Sequence, residues 1–207
     1  TFFKVNGEEY AVSAPGAFSV YNAVAAITVC RHYGIDQEII RKALKTIRVP
    51  GRVEVIDNDR GYLLLIDYAH NALSMENVLT TLREYHPNRL VCLFGAGGNR
   101  PKVRRFEMGE VSGRLSDLTI LTSDNPRWED PETIINDIET GVRKTGGAYL
   151  RIVDRREAVF RAVQMAGPGD LVVIAGKGHE TTQEIQGRLY HMDEQELVEE
   201  ACTQKLL

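Results

Sequence analysis

From Arg52 onward the chain is organised as short apolar runs separated by stretches of helical period. Leu63 to Ile66, Leu90 to Phe94, Leu118 to Leu121, Leu150 to Val153 and Leu171 to Ala175 have the length and residue type of strands buried on both faces. Between them, apolar residues recur at helical spacing: Met75, Val78, Leu79 and Leu82; Met108 to Leu115; Ile134, Ile135, Ile138 and Val142; Val159, Ala162, Val163 and Ala166. Each intervening segment is long enough for a crossover helix. Strands alternating with amphipathic helices predict an α/β domain with a mostly parallel sheet and helices on both faces.

The first fifty residues follow a different pattern. Phe2 to Val5 and Glu9 to Val12 flank an Asn6-Gly7 turn and predict a hairpin. Val20, Val24 and Ile27 then predict one helix, and Ile39, Ile40, Ala43, Leu44 and Ile47 a second one capped by Asp36. Val49-Pro50-Gly51-Arg52 interrupts the periodicity, because Pro removes a backbone donor and Gly loosens the chain. A domain boundary is expected there, dividing the chain into residues 1–48 and 49–207. The tail predicts a further hairpin, Glu184 to Tyr190, and a last helix starting near Asp193.

Composition narrows the class. A 43% hydrophobic, 26% charged chain can bury enough apolar surface to fold, which excludes a disordered or fibrous protein. The 25 Lys+Arg against 29 Asp+Glu give a formal charge of −4, which is no general electrostatic footprint for nucleic acid. Cys30, Cys92 and Cys202 have no C-x-x-C spacing and are expected as reduced thiols, Cys92 in the core. With no long uninterrupted apolar stretch and no signal-peptide layout over Thr1 to Asn6, a cytoplasmic protein without membrane attachment is expected. The start in mid-strand without Met suggests a fragment or a processed chain.

In an open parallel sheet, ligands bind beyond the carboxyl ends of the strands. Four apolar runs lead there into polar clusters: Asp67-Tyr68-Ala69-His70-Asn71, Gly95-Ala96-Gly97-Gly98-Asn99-Arg100, Thr122-Ser123-Asp124-Asn125-Pro126-Arg127 and Gly176-Lys177-Gly178-His179-Glu180. Asp and Asn there can cap helices and Gly can serve turns. Arg100, Arg127, Lys177 and His179 contribute nothing to such punctuation. Gly95-x-Gly97-x-x-Arg100 lacks the third glycine of a dinucleotide fingerprint, and no G-x-x-x-x-G-K-[ST] loop occurs. His179-Glu180-Thr181-Thr182-Gln183 has Gln where a zinc hydrolase needs its second His. What remains is a rim of cations (Arg100, Arg127, Lys177, His179) and anions (Asp67, Asp124, Glu180), a mixture that suits a zwitterion such as an amino acid.

Pro50-Gly51-Arg52-Val53-Glu54, Asp67-Tyr68-Ala69-His70, Gly97-Gly98-Asn99-Arg100, Asp124-Asn125-Pro126-Arg127 and Gly176-Lys177-Gly178-His179-Glu180 occur in an order and spacing that resembles the Mur ligases. Within that family the resemblance is to the branch that adds the third residue of the peptidoglycan stem peptide. Asp124-Asn125-Pro126-Arg127 matches the form that adds meso-diaminopimelate instead of lysine.

The resemblance implies that residues 49–207 are the C-terminal Rossmann-like domain of such a ligase, preceded by the end of its central P-loop ATPase domain. It implies ATP and Mg2+, bound mainly by upstream domains, and no metal ligand or certain catalytic residue within this chain, which alone is expected to be inactive. Asn22, Arg52, Asp67 and His70 would contact ATP. Arg100, Asp124, Asn125, Pro126, Arg127, Gly176 and Glu180 would form the meso-diaminopimelate site, with Arg127 and Asn125 on the distal carboxylate and Glu180 on the distal ammonium. The other implied partner is the UDP-N-acetylmuramoyl dipeptide, with the enzyme a monomer serving cell-wall synthesis and cell division. Lys177 and His179 receive no role from the resemblance; as residues they neutralise the pocket or cap the following helix. The alternatives are a non-catalytic α/β module for an amino acid or peptide and, more weakly, a nicotinamide oxidoreductase.

Overall fold

The computed structural model describes residues 1–204. The chain divides into two compact units, Thr1–Val49 and a second from Pro50 onward. In the first, strands β1 (Phe2–Val5) and β2 (Glu8–Ala11) pair antiparallel around the Asn6-Gly7 turn, where both residues have positive φ, the conformation such tight hairpins require. Helices α1 (Ala17–His32) and α2 (Gln37–Thr46) follow, and the Asp36 carboxylate caps α2 by accepting from the Glu38 N–H. Tyr10, Val12, Ala23, Ile27, Ile40 and Leu44 form the small core of this unit.

The faces of both helices differ from the expected stripes. On α1 the buried residues are Ser19, Ala23 and Ile27, and Val20 and Val24 lie half-buried at its edge. On α2 only Ile40 and Leu44 are buried, while Ile39, Ala43 and Ile47 face outward. On α1 two of the three buried residues, Ser19 and Ala23, are small, and hydrophobic periodicity gives no signal for them.

The second unit is built on a six-stranded sheet. Its elements in chain order are β3 (Glu54–Ile56), β4 (Leu63–Asp67), α3 (Ala72–Arg83), β5 (Leu90–Phe94), α4 (Val103–Leu115), β6 (Leu118–Leu121), α5 (Pro131–Thr145), β7 (Tyr149–Arg151), α6 (Arg155–Met165) and β8 (Leu171–Ala175). The strand order is β3-β4-β8-β5-β6-β7, with β3 antiparallel to β4 and every other pair parallel. The chain runs outward from β5 to β7 and then returns to insert β8 between β4 and β5, which brings the loops after β8, β5 and β6 side by side.

Alternation within each strand separates the two faces of the sheet. Leu64, Ile66, Val91, Leu93, Ile120, Val172 and Ile174 pack against α6 and the last helix, α7 (Glu194–Thr203), through Val159, Val163 and Val198. On the opposite face, the Cys92 thiol touches Met75 of α3, and burial pushes that thiol up to about 12. All three cysteines are free. Beyond the sheet, β9 (Thr182–Ile185) and β10 (Arg188–His191) form the tail hairpin, and Asp193 caps α7.

Two expectations are corrected. Strand β3 went unpredicted, because three residues, Glu54 to Ile56, are too few to carry a period. The strand expected at Leu150 to Val153 is Tyr149–Arg151, since Asp154 is already the cap of α6. Among the described residues no helix is long and apolar enough to cross a membrane.

Candidate active site

Loops at the carboxyl ends of β4, β5, β6 and β8 enclose a cleft of about 170 Å3, lined by Tyr68, His70, Gly97, Arg100, Arg104, Asp124, Asn125, Arg127, Gly176 and Glu180 among others. Close backbone approach makes this convergence possible. A Cβ on Gly98 would lie 1.9 Å from the Pro126 carbonyl, so the loops after β5 and β6 can touch only through a glycine. Gly51 and Gly178 meet in the same way, a Cβ on Gly51 falling 2.3 Å from the His179 nitrogen.

Glu180 and Lys177 form the acidic wall and its counterweight. The Lys177 side chain is fully buried and donates to Glu180 Oε2 (2.9 Å) and Asn125 Oδ1 (3.1 Å), with Asp124 Oδ1 at 3.8 Å. Glu180 also accepts from Asn125 Nδ2 (3.0 Å) and the Tyr68 hydroxyl (3.2 Å). Burial pulls the Glu180 carboxyl upward, but Lys177, Asn125 and Tyr68 outweigh it and hold the group below the usual carboxylate range.

The lining also carries cations. Arg100 and Arg104 line the cleft with exposed guanidinium groups that make no ion pair among the described residues. Arg105 behind them is buried and already paired with Glu129 (2.8 Å) and Asp137 (2.9 Å). Glu129 also accepts from the Asn99 N–H, so this pair supports the loop that carries Arg100.

Arg127 lines the cleft in a left-handed conformation, φ 53°, that a non-glycine residue adopts only when its surroundings impose it. The tail hairpin does so. The Arg127 N–H donates to the Glu184 carbonyl (3.0 Å), the Gln186 N–H donates to the Arg127 carbonyl (2.7 Å), and Arg127 Nε donates to Glu184 Oε2 (3.0 Å). Nη1 donates to the Gly98 carbonyl (2.7 Å), and Nη2 makes no hydrogen bond among the described residues.

A model of the Mur ligase glutamate ligase domain matches residues 51–178, the stretch holding most of this cleft. The chain belongs to the Mur ligase family. It is 47% identical over 193 residues to a UDP-N-acetylmuramoyl-L-alanyl-D-glutamate--2,6-diaminopimelate ligase of Caldanaerobacter subterraneus subsp. tengcongensis, and 44% identical over 198 residues to one so named from Aquifex aeolicus. These alignments cover 93% and 96% of this chain but only 40% and 41% of the relatives, so the chain spans about 40% of their length. A solved structure of an enzyme with the same name superposes with a TM-score of 0.71 at 38% identity, covering 94% of this chain and 40% of that one. The UDP-N-acetylmuramate-alanine ligase of Thermotoga maritima, 20% identical with a TM-score of 0.65 and covering 83% of this chain and 37% of that one, shares the fold.

Of the residues singled out from the sequence, His70, Arg100, Asp124, Asn125, Arg127, Gly176 and Glu180 line this Mur ligase cleft. Asn22 is exposed on α1 of the first unit. Arg52 stands outside the lining, its guanidinium 4.8 Å above the Tyr68 ring. Asp67 is 3% exposed and turned inward: its oxygens accept from the N–H groups of Val53 (2.8 Å) and Ala69 (2.7 Å). Burial raises the Asp67 carboxyl above its ordinary value against those two bonds and the nearby charges of Arg52 and His70. Pro126 is also buried, its carbonyl against Gly98.

Sequence reasoning missed Tyr68 and the tail. Arg52, His70 (4.8 Å) and His179 (5.4 Å) all gather around the Tyr68 ring, a role foreshadowed only by an aromatic residue set between ionisable ones at a strand end. The hairpin was legible, but its function as a latch was not. Glu184 N–H donates to Asn125 Oδ1 (2.9 Å) and Gln183 Nε2 to the Asp124 carbonyl (2.6 Å), so the residue that disqualifies a zinc motif instead fastens the Asp124–Arg127 loop.

Proposed function

We propose that this chain is the amino-acid-binding part of an ATP-dependent ligase that joins meso-diaminopimelate to UDP-N-acetylmuramoyl-L-alanyl-D-glutamate. The observation that carries the reading is the cleft itself, whose lining gathers the guanidinium groups of Arg100 and Arg127 with the Glu180 carboxylate, held below its usual range. Guanidinium groups recognise carboxylates through paired donors, and a carboxylate holds an ammonium. The names of relatives 47% and 44% identical to this chain support the choice of zwitterion.

In the proposed reaction, ATP phosphorylates the free carboxylate of the D-glutamate residue. The amine of meso-diaminopimelate attacks the acyl phosphate, and phosphate leaves from a tetrahedral intermediate. The role of this chain is to hold the amine in line, the positioning component of such catalysis. Arg127 meets the distal carboxylate and Glu180 the distal ammonium. Asn125, whose amide is engaged by Lys177, Glu180 and Glu184, acts by holding Glu180 and the latch. Arg100 takes a second anionic group, while Asp124, Pro126 and Gly176 shape the floor. Arg52 and His70, arranged around Tyr68 beside the buried Asp67, face ATP; Asn22, exposed on the first unit, is proposed as an ATP contact of that unit by itself. Among the described residues no group of three or more His, Cys, Asp or Glu side chains converges that could hold a metal ion.

The test is phosphate release by the full-length enzyme with each amino acid in turn. Release that depends on both the UDP-linked dipeptide and meso-diaminopimelate, and that falls by at least about tenfold in kcat/KM with lysine, is expected from the loss of one charged contact. Equal use of lysine overturns the assignment of Arg127, and release independent of diaminopimelate overturns the function.

A further inference from the structure

We infer that Lys177 is a positioning residue of the amino-acid cleft, the fixed countercharge that keeps Glu180 aimed and leaves the acidic wall with room for one ammonium group. The inference rests on the cleft being an amino-acid site, as proposed above.

A fully buried lysine is uncommon, because its ammonium must recover in contacts what it loses in hydration. Here the contacts all belong to the cleft: Glu180 Oε2, Asn125 Oδ1 and, at 3.8 Å, Asp124 Oδ1. Two carboxylates and one ammonium leave a single net negative charge. Without Lys177 the wall would carry two nearby carboxylates, and such pairs avoid double ionisation by taking up a proton.

The groups facing Glu180 are Lys177 from its own loop, the Tyr68 hydroxyl from the loop after β4, and Asn125 and Asp124 from the loop after β6. The Arg52 guanidinium lies beyond, over the Tyr68 ring. Lys177 is therefore the cation in direct contact with Glu180. Its removal leaves burial opposed only by the Asn125 and Tyr68 hydrogen bonds, and the Glu180 carboxyl should move up and weaken its hold on an ammonium.

Two measurements test this on Lys177→Met and on Lys177→Gln, the second retaining an amide donor should the first fold poorly. Carbon-detected NMR of the labelled Glu180 carboxyl reads the countercharge without reference to any reaction. The titration midpoint should rise by more than about one pH unit in both variants, and an unmoved midpoint overturns the inference. In the full-length enzyme, the ratio of variant to wild-type KM for meso-diaminopimelate should exceed tenfold at pH 6 and shrink as pH rises, with KM for ATP within twofold. A pH-independent ratio, or an equal rise in KM for ATP, also overturns it, because Lys177 would then only support the fold. A wild-type enzyme indifferent to diaminopimelate, combined with a shifted Glu180 midpoint, would refute the proposed substrate and leave the countercharge standing.

Discussion

Replacing Arg155 by Met should cost the second unit a large share of its stability, and the cost should grow with pH. Arg155 is 2% exposed at the start of α6, and Glu194, 0% exposed, opens α7. The guanidinium donates to Glu194 Oε1 through Nε (2.9 Å) and Nη2, to the Ser123 carbonyl through Nη1 (3.1 Å) and to the Ala175 carbonyl through Nη2 (3.0 Å). Those carbonyls lie at the ends of β6 and β8, immediately before Asp124 and Gly176. Removing one partner of a buried pair leaves an uncompensated charge and costs about 3–5 kcal/mol. For a domain of this size that lowers Tm by roughly 6–20 °C. Burial already raises the Glu194 carboxyl above its ordinary value against the pull of Arg155. Without Arg155 it rises further, so the folded state favours the proton more than the unfolded state does. The variant's deficit is then smallest below the ordinary carboxylate value of 4.5 and widens as pH rises through the folded value. Urea unfolding followed by far-ultraviolet circular dichroism at pH 5 and pH 8 measures both effects. A deficit under about 1 kcal/mol, or one equal at the two pH values, would refute the reasoning. The double variant Arg155→Met with Glu194→Leu should recover most of the loss, because the orphaned charge goes with its partner.

Three further outcomes are expected. Gly98→Ala places a methyl group 1.9 Å from the Pro126 carbonyl and should cost about 1–3 kcal/mol while raising KM for the amino acid, measured by thermal unfolding and steady-state kinetics. Asp67→Asn leaves one acceptor for the N–H groups of Val53 and Ala69; the orphaned donor should cost about 1–3 kcal/mol in urea unfolding, and KM for ATP should rise if the Tyr68 cluster meets the nucleotide. Arg127→Ala should raise KM for meso-diaminopimelate at least about tenfold, and an unchanged KM would remove Arg127 from the substrate.

How much of this was legible beforehand depends on what kind of signal each feature leaves. The buried strands were, because a run such as Leu90–Phe94 is apolar on both faces and bounded by polar residues. The placement of polar clusters at strand ends followed from parallel topology alone, and each of the four contributes residues to one cleft. Which atoms remain available within a cluster was not legible. Asp67, Asn125 and Arg127 look alike as exposed loop polarity, yet the first is turned inward, the second is spent on its neighbours and the third keeps one guanidinium edge free. For Arg127 and Asn125 the partners that decide this, Glu184 and Lys177, lie 57 and 52 residues away in sequence. Periodicity is local and carries no such information. The same limit explains the helix faces of the first unit, where Ser19 and Ala23 are buried through the shape of their neighbours.

The latch has a mechanical consequence for the site. The backbone of Arg127 is bonded to the tail hairpin on both sides, and its side chain ties that hairpin to Gly98 on the far loop. A left-handed arginine carries a conformational cost of roughly 1–2 kcal/mol, and the bonds to Glu184 and Gln186 offset it. The guanidinium of this lining residue is thus fixed in direction before any ligand arrives, which spares the binding step the ordering of a long side chain, about 0.5–1.5 kcal/mol. Glu180 is fixed by a different route, through Lys177 and Asn125, and Asn125 also accepts from the Glu184 N–H. The hairpin therefore sets both ends of the proposed zwitterion site at once. Loosening it should weaken recognition of the carboxylate and of the ammonium together, a coupling that a site built from independent loops would not show.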